Sequence, residues 1–61
     1  MFYIKRISES HELCLVYGWV GDGKYSLFTR AIETQDTIED FGILDSQKAW
    51  EIFNAAEVWK E

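Results

Sequence analysis

The chain contains no proline and one cysteine, and each shortage limits what it can be. A single cysteine, Cys14, excludes an intramolecular disulfide. With the only histidine, His11, it also supplies too few ligands for a structural zinc site, which takes four. The missing proline and a hydrophobic content of 48% argue against disorder. A core has to form here without covalent or metal cross-links.

Long hydrophobic runs are missing too. No stretch reaches the roughly 18 residues that cross a bilayer. Residues 1–6 place their basic side chains after the apolar ones, which is the reverse of a secretion signal. Together with the single thiol, these features predict a cytoplasmic protein with no membrane partner.

Aromatic side chains are what the chain has in quantity. Three Trp, four Phe and three Tyr make up 16% of its 61 residues. We expect residues 1–61 to form a single domain, and a domain of this size buries only about 60% of its unfolded surface. Dense aromatic packing or association with another chain is therefore expected to stabilise it.

Charge is divided unequally between the two halves of the chain. Residues 1–32 carry four basic and three acidic side chains, whereas residues 33–61 carry eight acidic and two basic ones. The net charge of −5 therefore belongs to the second half. Charge of one sign favours partners of the opposite sign without deciding the fold.

Hydrophobic periodicity predicts an α+β fold, with a three-stranded antiparallel meander followed by a helix. The strands are predicted at residues 2–7, 13–20 and 25–32. Asp22-Gly23 favours a tight hairpin turn between the second and third strands. Residues 35–41 are predicted to form a short helical turn capped by Thr34, with an extra edge strand as the alternative.

The C-terminal helix is predicted over residues 46–59, with Asp45 or Ser46 as its N-cap. Apolar residues at helical spacing are expected to pack across one face of the sheet: Ala49, Ile52, Phe53, Ala56 and Trp59. The second strand is apolar on both faces, with Leu13, Leu15, Tyr17 and Trp19 on one and Cys14, Val16 and Val20 on the other. One helix covers one face, so the other face is expected to bind a partner or a second copy.

Three motifs resemble catalytic signatures, and we interpret each as structural. Gly18–Lys24 matches G-x-x-x-x-G-K, but Tyr25 and a strand follow where a phosphate loop needs Ser or Thr and a helix. Asp40-Phe41-Gly42 matches a kinase tripeptide in a chain far too short for a kinase, and we interpret it as a helix end. His11 and Cys14 are interpreted as a surface histidine and a buried strand cysteine. We predict no catalytic residue, cofactor or metal.

The combined features predict a small acidic, non-enzymatic protein that binds and inhibits or modulates another protein. Its predicted anchors are Tyr17, Trp19 and Trp50, since Trp and Tyr dominate interface energies. Asp36, Glu39 and Asp40 are predicted to direct it to a basic surface, such as a nucleic-acid-binding site. The size suits an inhibitor encoded by a phage or a mobile element.

Two alternatives remain open at this stage. The chain could form a homodimeric structural or regulatory subunit through its second apolar face. It could instead bind single-stranded nucleic acid with its aromatic and basic hairpin, using Lys5, Arg6, Lys24 and Arg30. The net negative charge disfavours nucleic acid, because phosphate contacts dominate affinity for it.

Overall fold

A computed structural model describes residues 2–18 and 23–60 as one antiparallel sheet and one helix. The elements follow in the order β1 Phe2–Arg6, β2 His11–Tyr17, β3 Lys24–Ala31, β4 Thr37–Asp45 and α1 Ser46–Ala55. The strands pair in chain order, β1-β2-β3-β4. The protein thus has the predicted α+β composition, but its sheet has four strands where three were predicted.

The fourth strand replaces the helical turn that the sequence predicted over residues 35–41. That prediction was wrong, and the alternative edge strand is what forms: β4 pairs with β3 from Thr37 to Asp45. Two register shifts interrupt this pairing and disturb the alternation that normally reveals a strand. Gly42 has a φ of +84° inside the irregular strand, so it does not end a helix.

The β2–β3 hairpin is confirmed by antiparallel pairing from His11↔Ala31 to Tyr17↔Tyr25. Within β2, Leu13 and Leu15 belong to the core cluster that packs under the helix. Gly23, with a φ of +73°, has the left-handed conformation expected near the turn. The rest of the predicted turn, with Trp19 and Val20, lies outside the described residues.

The core lies between α1 and one face of the sheet. Six buried residues form it: Leu13, Leu15, Tyr25, Leu27, Ala49 and Phe53. Ala49 and Phe53 are the buried residues of the helix, as its apolar spacing predicted. Tyr3, Tyr17, Leu44 and Trp50 pack around this cluster and extend it to the margins of the helix.

The helix begins where the sequence predicted and ends earlier. Asp45 is the N-cap, and its Oδ1 accepts a hydrogen bond from the Lys48 N–H at 2.8 Å. The predicted end at residue 59 is wrong, because the helix stops at Ala55. Lys5 Nζ donates to the carbonyl of Phe53 at 2.5 Å and to that of Ala56 at 2.9 Å. A side chain from β1 thus satisfies carbonyls that another helical turn would have used.

Residues 56–60 continue as a non-helical segment that returns to β1. The Trp59 N–H donates to the Arg6 carbonyl at 2.9 Å, and the Arg6 guanidinium lies 4.7 Å from the Trp59 ring centroid. Trp59 is therefore a contact of the first strand, whereas the sequence placed it on the helix stripe. This segment partly covers the outer edge of β1.

Candidate interaction surfaces

Because α1 covers one side of the sheet, the other side is left without a packed element among the described residues. We call this side the open face. The strand registers align its residues in three cross-strand rows. The rows are Phe2-Val16-Ser26-Ile43, Ile4-Cys14-Phe28-Asp40 and Arg6-Glu12-Arg30-Thr37.

The open face combines exposed apolar side chains on its outer strands with a pair of charged side chains on its central ones. Phe2, Ile4 and Ile43 are 50%, 48% and 58% exposed, whereas fully buried Leu15 and Leu27 point the opposite way. Exposed apolar side chains grouped on one surface of a small protein mark an interaction site more often than scattered ones do. Of the second apolar face that the sequence predicted for β2, Cys14 and Val16 lie on the open face, and Val20 lies outside the described residues.

An ion pair crosses the open face above the only cysteine. Arg30 Nε donates to Glu12 Oε2 at 2.5 Å, and the Arg30 guanidinium lies 5.5 Å from the Phe2 ring centroid. The hydrogen bond to Glu12 raises the pKa of Arg30. Burial raises the pKa of the Cys14 thiol, an effect that Arg30 opposes and Glu12 reinforces. Cys14 is thus a protonated, packed side chain at neutral pH.

His11 and Cys14 do not meet. Alternation along β2 places His11 on the face of Leu13 and Cys14 on the open face. The His11 Nδ1 lies 2.9 Å from the Ser8 hydroxyl and 3.3 Å from the Ser10 hydroxyl. The imidazole is therefore part of the β1–β2 connection.

A second surface lies along β4, which is an edge strand because β3 is its only neighbour in the sheet. We call residues 36–41 the acidic edge. All six residues are exposed, and they include the predicted Asp36, Glu39 and Asp40. Ile38, 53% exposed, and Phe41, 39% exposed, lie among the carboxylates. The structure thus collects the three predicted acidic residues on a strand and the turn before it.

The carboxylates of the acidic edge have no ion-pair partner in the described parts of the chain. The salt bridge found there joins Arg30 and Glu12. Asp40 Oδ1 accepts from the Gly42 N–H at 2.8 Å, and the Glu39 N–H donates to Thr29 Oγ1 at 3.1 Å. These hydrogen bonds fix the backbone of the acidic edge. They leave its carboxylates without a compensating cation in the described structure.

The predicted aromatic anchors lie elsewhere. Tyr17 and Tyr25 have ring centroids 4.8 Å apart, at the end of the sheet opposite Glu39. Trp50 is half-buried against Tyr3 and Phe53, with centroid distances of 4.9 and 5.6 Å. Trp19 lies outside the described residues. The structure does not join Tyr17 and Trp50 to the acidic edge, and their role in partner binding stays a prediction.

Sequence reasoning missed the exposed apolar residues of both surfaces, namely Phe2, Ile4, Ile38, Phe41 and Ile43. In β1, strict alternation could have identified Phe2 and Ile4 as exposed. They alternate with Tyr3 and Lys5, which lie on the covered side. The residues of β4 gave no such signal, because the register shifts break its alternation.

The basic side chains of the first half are mostly engaged within the chain. Lys5 binds carbonyls at the end of α1, and Arg30 binds Glu12. Arg6 Nε donates to the Ser8 carbonyl at 3.2 Å, and its Nη2 donates to that of Glu9 at 2.6 Å. These contacts do not favour the nucleic-acid alternative, which needs several cations free to contact phosphates.

No group of three or more possible metal ligands occurs in the described ranges. Lys24, the last residue of the phosphate-loop look-alike, begins strand β3 where such a loop would begin a helix. The ten residues of α1 are too few to cross a membrane, and residues 2–18 and 23–60 hold no longer helix.

Comparison of the chain with protein-family models, with curated proteins and with solved structures returned no match.

Proposed function

We propose that this chain is a cytoplasmic, non-enzymatic binding protein whose acidic edge contacts a basic surface of another protein and blocks or modulates it. The observation that supports this most directly is the acidic edge itself. Six consecutive exposed residues hold three carboxylates without an ion-pair partner in the described structure. A basic partner would supply the missing charges.

The composition of the acidic edge suits protein recognition. Interfaces combine a few apolar anchors with charged groups that direct association. Here Ile38 and Phe41 supply exposed apolar area within two residues of Glu39 and Asp40. They replace the predicted aromatic anchors as the apolar residues nearest the carboxylates.

The position at a sheet edge adds a further means of binding. An edge strand has backbone N–H and C=O groups that an extended segment of a partner can pair with. Carboxylates along β4 oppose pairing with a second copy of the same strand, because like charges would meet. A segment rich in Lys or Arg meets no such repulsion, so the charge selects the class of partner.

Affinity capture with a charge-matched control tests the proposal. The test variant combines Asp36→Asn, Glu39→Gln and Asp40→Asn. The control combines Glu9→Gln, Glu51→Gln and Glu57→Gln, which neutralise three exposed carboxylates outside the acidic edge. Both lower the negative charge by three, so a difference between them reports position and not net charge.

We expect the wild-type chain and the control to retain one protein from a lysate of the source cell and to lose it in high-salt washes. We expect the test variant to lose it even at low salt. A direct measurement uses a soluble extended peptide that alternates Lys and Val, titrated at low salt against the isotope-labelled chain. Amide shifts confined to β4 would support the proposal. Equal binding by the two variants, or shifts outside β4, would overturn it.

A further inference from the structure

We infer that the open face is the interface of a homodimer, in which two sheets pack face to face about a two-fold axis parallel to the strands. This goes beyond the proposed function and uses a surface that shares only Thr37 and Asp40 with the acidic edge. The inference depends on the arrangement of the three rows, which is complementary to itself. An axis between β2 and β3 places β1 over the β4 of the second copy, and β2 over its β3.

The apolar row matches itself under this operation. Phe2 and Ile43 stand at opposite ends of one row and are the two most exposed apolar residues of the open face. The two-fold axis brings each Phe2 over an Ile43 of the other copy. Val16 and Ser26 meet between them, so the exposed apolar groups are covered by each other.

The charged row matches itself as well. Glu12 on β2 and Arg30 on β3 form the ion pair that crosses the open face above Cys14. The same rotation places Glu12 of one copy over Arg30 of the other and the reverse. Four side chains of alternating charge then meet at the two-fold axis. An unrelated partner would match this arrangement only by coincidence.

The middle row places its one unfavourable residue at the margin. Phe28 lies near the axis beside Cys14, which is fully buried under the ion pair, whereas Ile4 lies opposite Asp40 at the outer strands. Asp40 is exposed in the monomer and stays near solvent at the rim. The interface thus has charged groups at its axis and apolar pairs of Phe2 with Ile43 at its sides, with Asp40 at the rim.

The size of the face predicts a weak dimer. Four strands of five to nine residues project about 19 Å across the sheet and about 24 Å along it. A standard interface takes about 800 Å² of accessible surface from each partner, which is roughly a fifth of the 4271 Å² of this chain. The projected area of the open face, about 460 Å², is smaller than that, and we expect a dissociation constant in the high micromolar range or weaker.

Sedimentation equilibrium across micromolar to millimolar concentrations tests the dimer. We expect the mass to rise from 7.2 kDa towards twice that value. Ile43→Lys is expected to remain monomeric and folded. Val58→Lys is the matched control, since Val58 is also 58% exposed but lies in the segment after α1. A wild-type chain that stays monomeric, or a dimer that Ile43→Lys does not weaken, would overturn the inference.

A charge swap tests the axis itself. The double variant Glu12→Arg with Arg30→Glu keeps an ion pair within each chain and across a dimer of two swapped copies. A mixed dimer with wild type would place like charges together at both positions. We expect each protein to dimerise alone and the two not to mix; free mixing would show that the rows do not meet as described.

Salt separates this inference from the proposed function. Each copy has a net charge of −5, so added salt screens the repulsion between the copies as well as the attraction within the Glu12–Arg30 quartet, and we expect the dimer to change little with salt. Binding of a basic partner to the acidic edge is expected to weaken under the same change. A dimer that dissociates as salt is raised would therefore count against the apolar open face as its interface.

Discussion

The two faces of the sheet are both apolar, and only one of them forms a core. On the covered face Leu15 and Leu27 are fully buried, whereas on the open face Ile4 and Ile43 are 48% and 58% exposed. The strands supply apolar residues to both sides, but residues 2–18 and 23–60 form one helix to cover them. The difference shows that alternation in a strand specifies which residues share a face, while the elements available to cover a face specify what that face does.

The energies of the two faces should differ accordingly. A fully buried large apolar side chain contributes about 1.5–3 kcal/mol relative to an exposed one. Residues of the open face gain little of this in the monomer. They become stabilising when something covers them, which is the reason that we assign them to an interface.

The largest expected effect is the loss of a core side chain. Leu27→Ala should lower the free energy of unfolding by about 2–5 kcal/mol, because it removes buried contacts and leaves a cavity. Ile43→Ala, at the neighbouring open-face position, should cost less than about 1 kcal/mol. Urea unfolding at low micromolar concentration, where a weak dimer dissociates, measures both. Equal losses would show that the two faces are equally covered.

A smaller effect is expected at the margin of the covered face. Lys5→Met keeps most of the apolar stem but removes the donor to the carbonyls of Phe53 and Ala56. We expect a loss of about 1.5–3 kcal/mol, typical of a hydrogen bond to a charged group. Hydrogen exchange should also show earlier opening at the end of α1.

Lys24→Met is the control for this comparison, because Lys24 is exposed and lies on the open-face side of β3. It makes the same change of charge at a residue that does not bind the carbonyls at the C-terminal end of α1. If both variants lost the same stability, the contact of Lys5 with the helix end would contribute nothing beyond its charge.

The smallest effect concerns the one fully buried residue of the open face. Burial raises the pKa of Cys14 above its ordinary value of 9.0, so the native thiol keeps its proton where the unfolded thiol releases it. The stability that this contributes is complete below pH 9 and is lost as the pH rises through the higher native pKa. We expect the wild type to lose stability from pH 8 to pH 10 more steeply than Cys14→Ala does.

Urea unfolding of the two proteins at each pH gives this difference directly. The alanine variant also loses packing, but that loss is independent of pH and shifts its whole profile. If the free energy of unfolding changed with pH equally in the two proteins, the Cys14 thiol would be exposed to solvent. The Glu12–Arg30 pair would then not cover it.

Sequence reasoning succeeded where the signal was local. The alternation of Leu13, Cys14 and Leu15 assigned each to its face, and Asp45 was one of two predicted caps. It failed where distant residues intervene. Lys5 binds the end of α1, and it lies 51 positions from the Ala56 carbonyl that accepts its hydrogen bond. The residues near position 56 do not indicate that contact.

The candidate site shows the same division. The acidic character of residues 36–40 was visible from composition, and the proposal that it directs binding follows from that charge. Its placement on an edge strand was predicted only as the alternative, because the spacing of Ile38 and Phe41, followed by Gly42, is also typical of the end of a helix. These residues lie in β4. Trp50 was predicted as an anchor from its residue type, and the structure places it against Tyr3 and Phe53.

Composition and short-range pattern alone were enough for the strands of the first half, the start of the helix, the second apolar face and the concentration of negative charge after residue 32. Each depends on residues within a few positions of one another. The fourth strand, the early end of the helix, the burial of Cys14 under an ion pair and the self-matching rows of the open face depend on pairing between distant segments. Those features depend on the register of the strands and on contacts between distant segments. The register is selected by packing one face of the sheet against the helix.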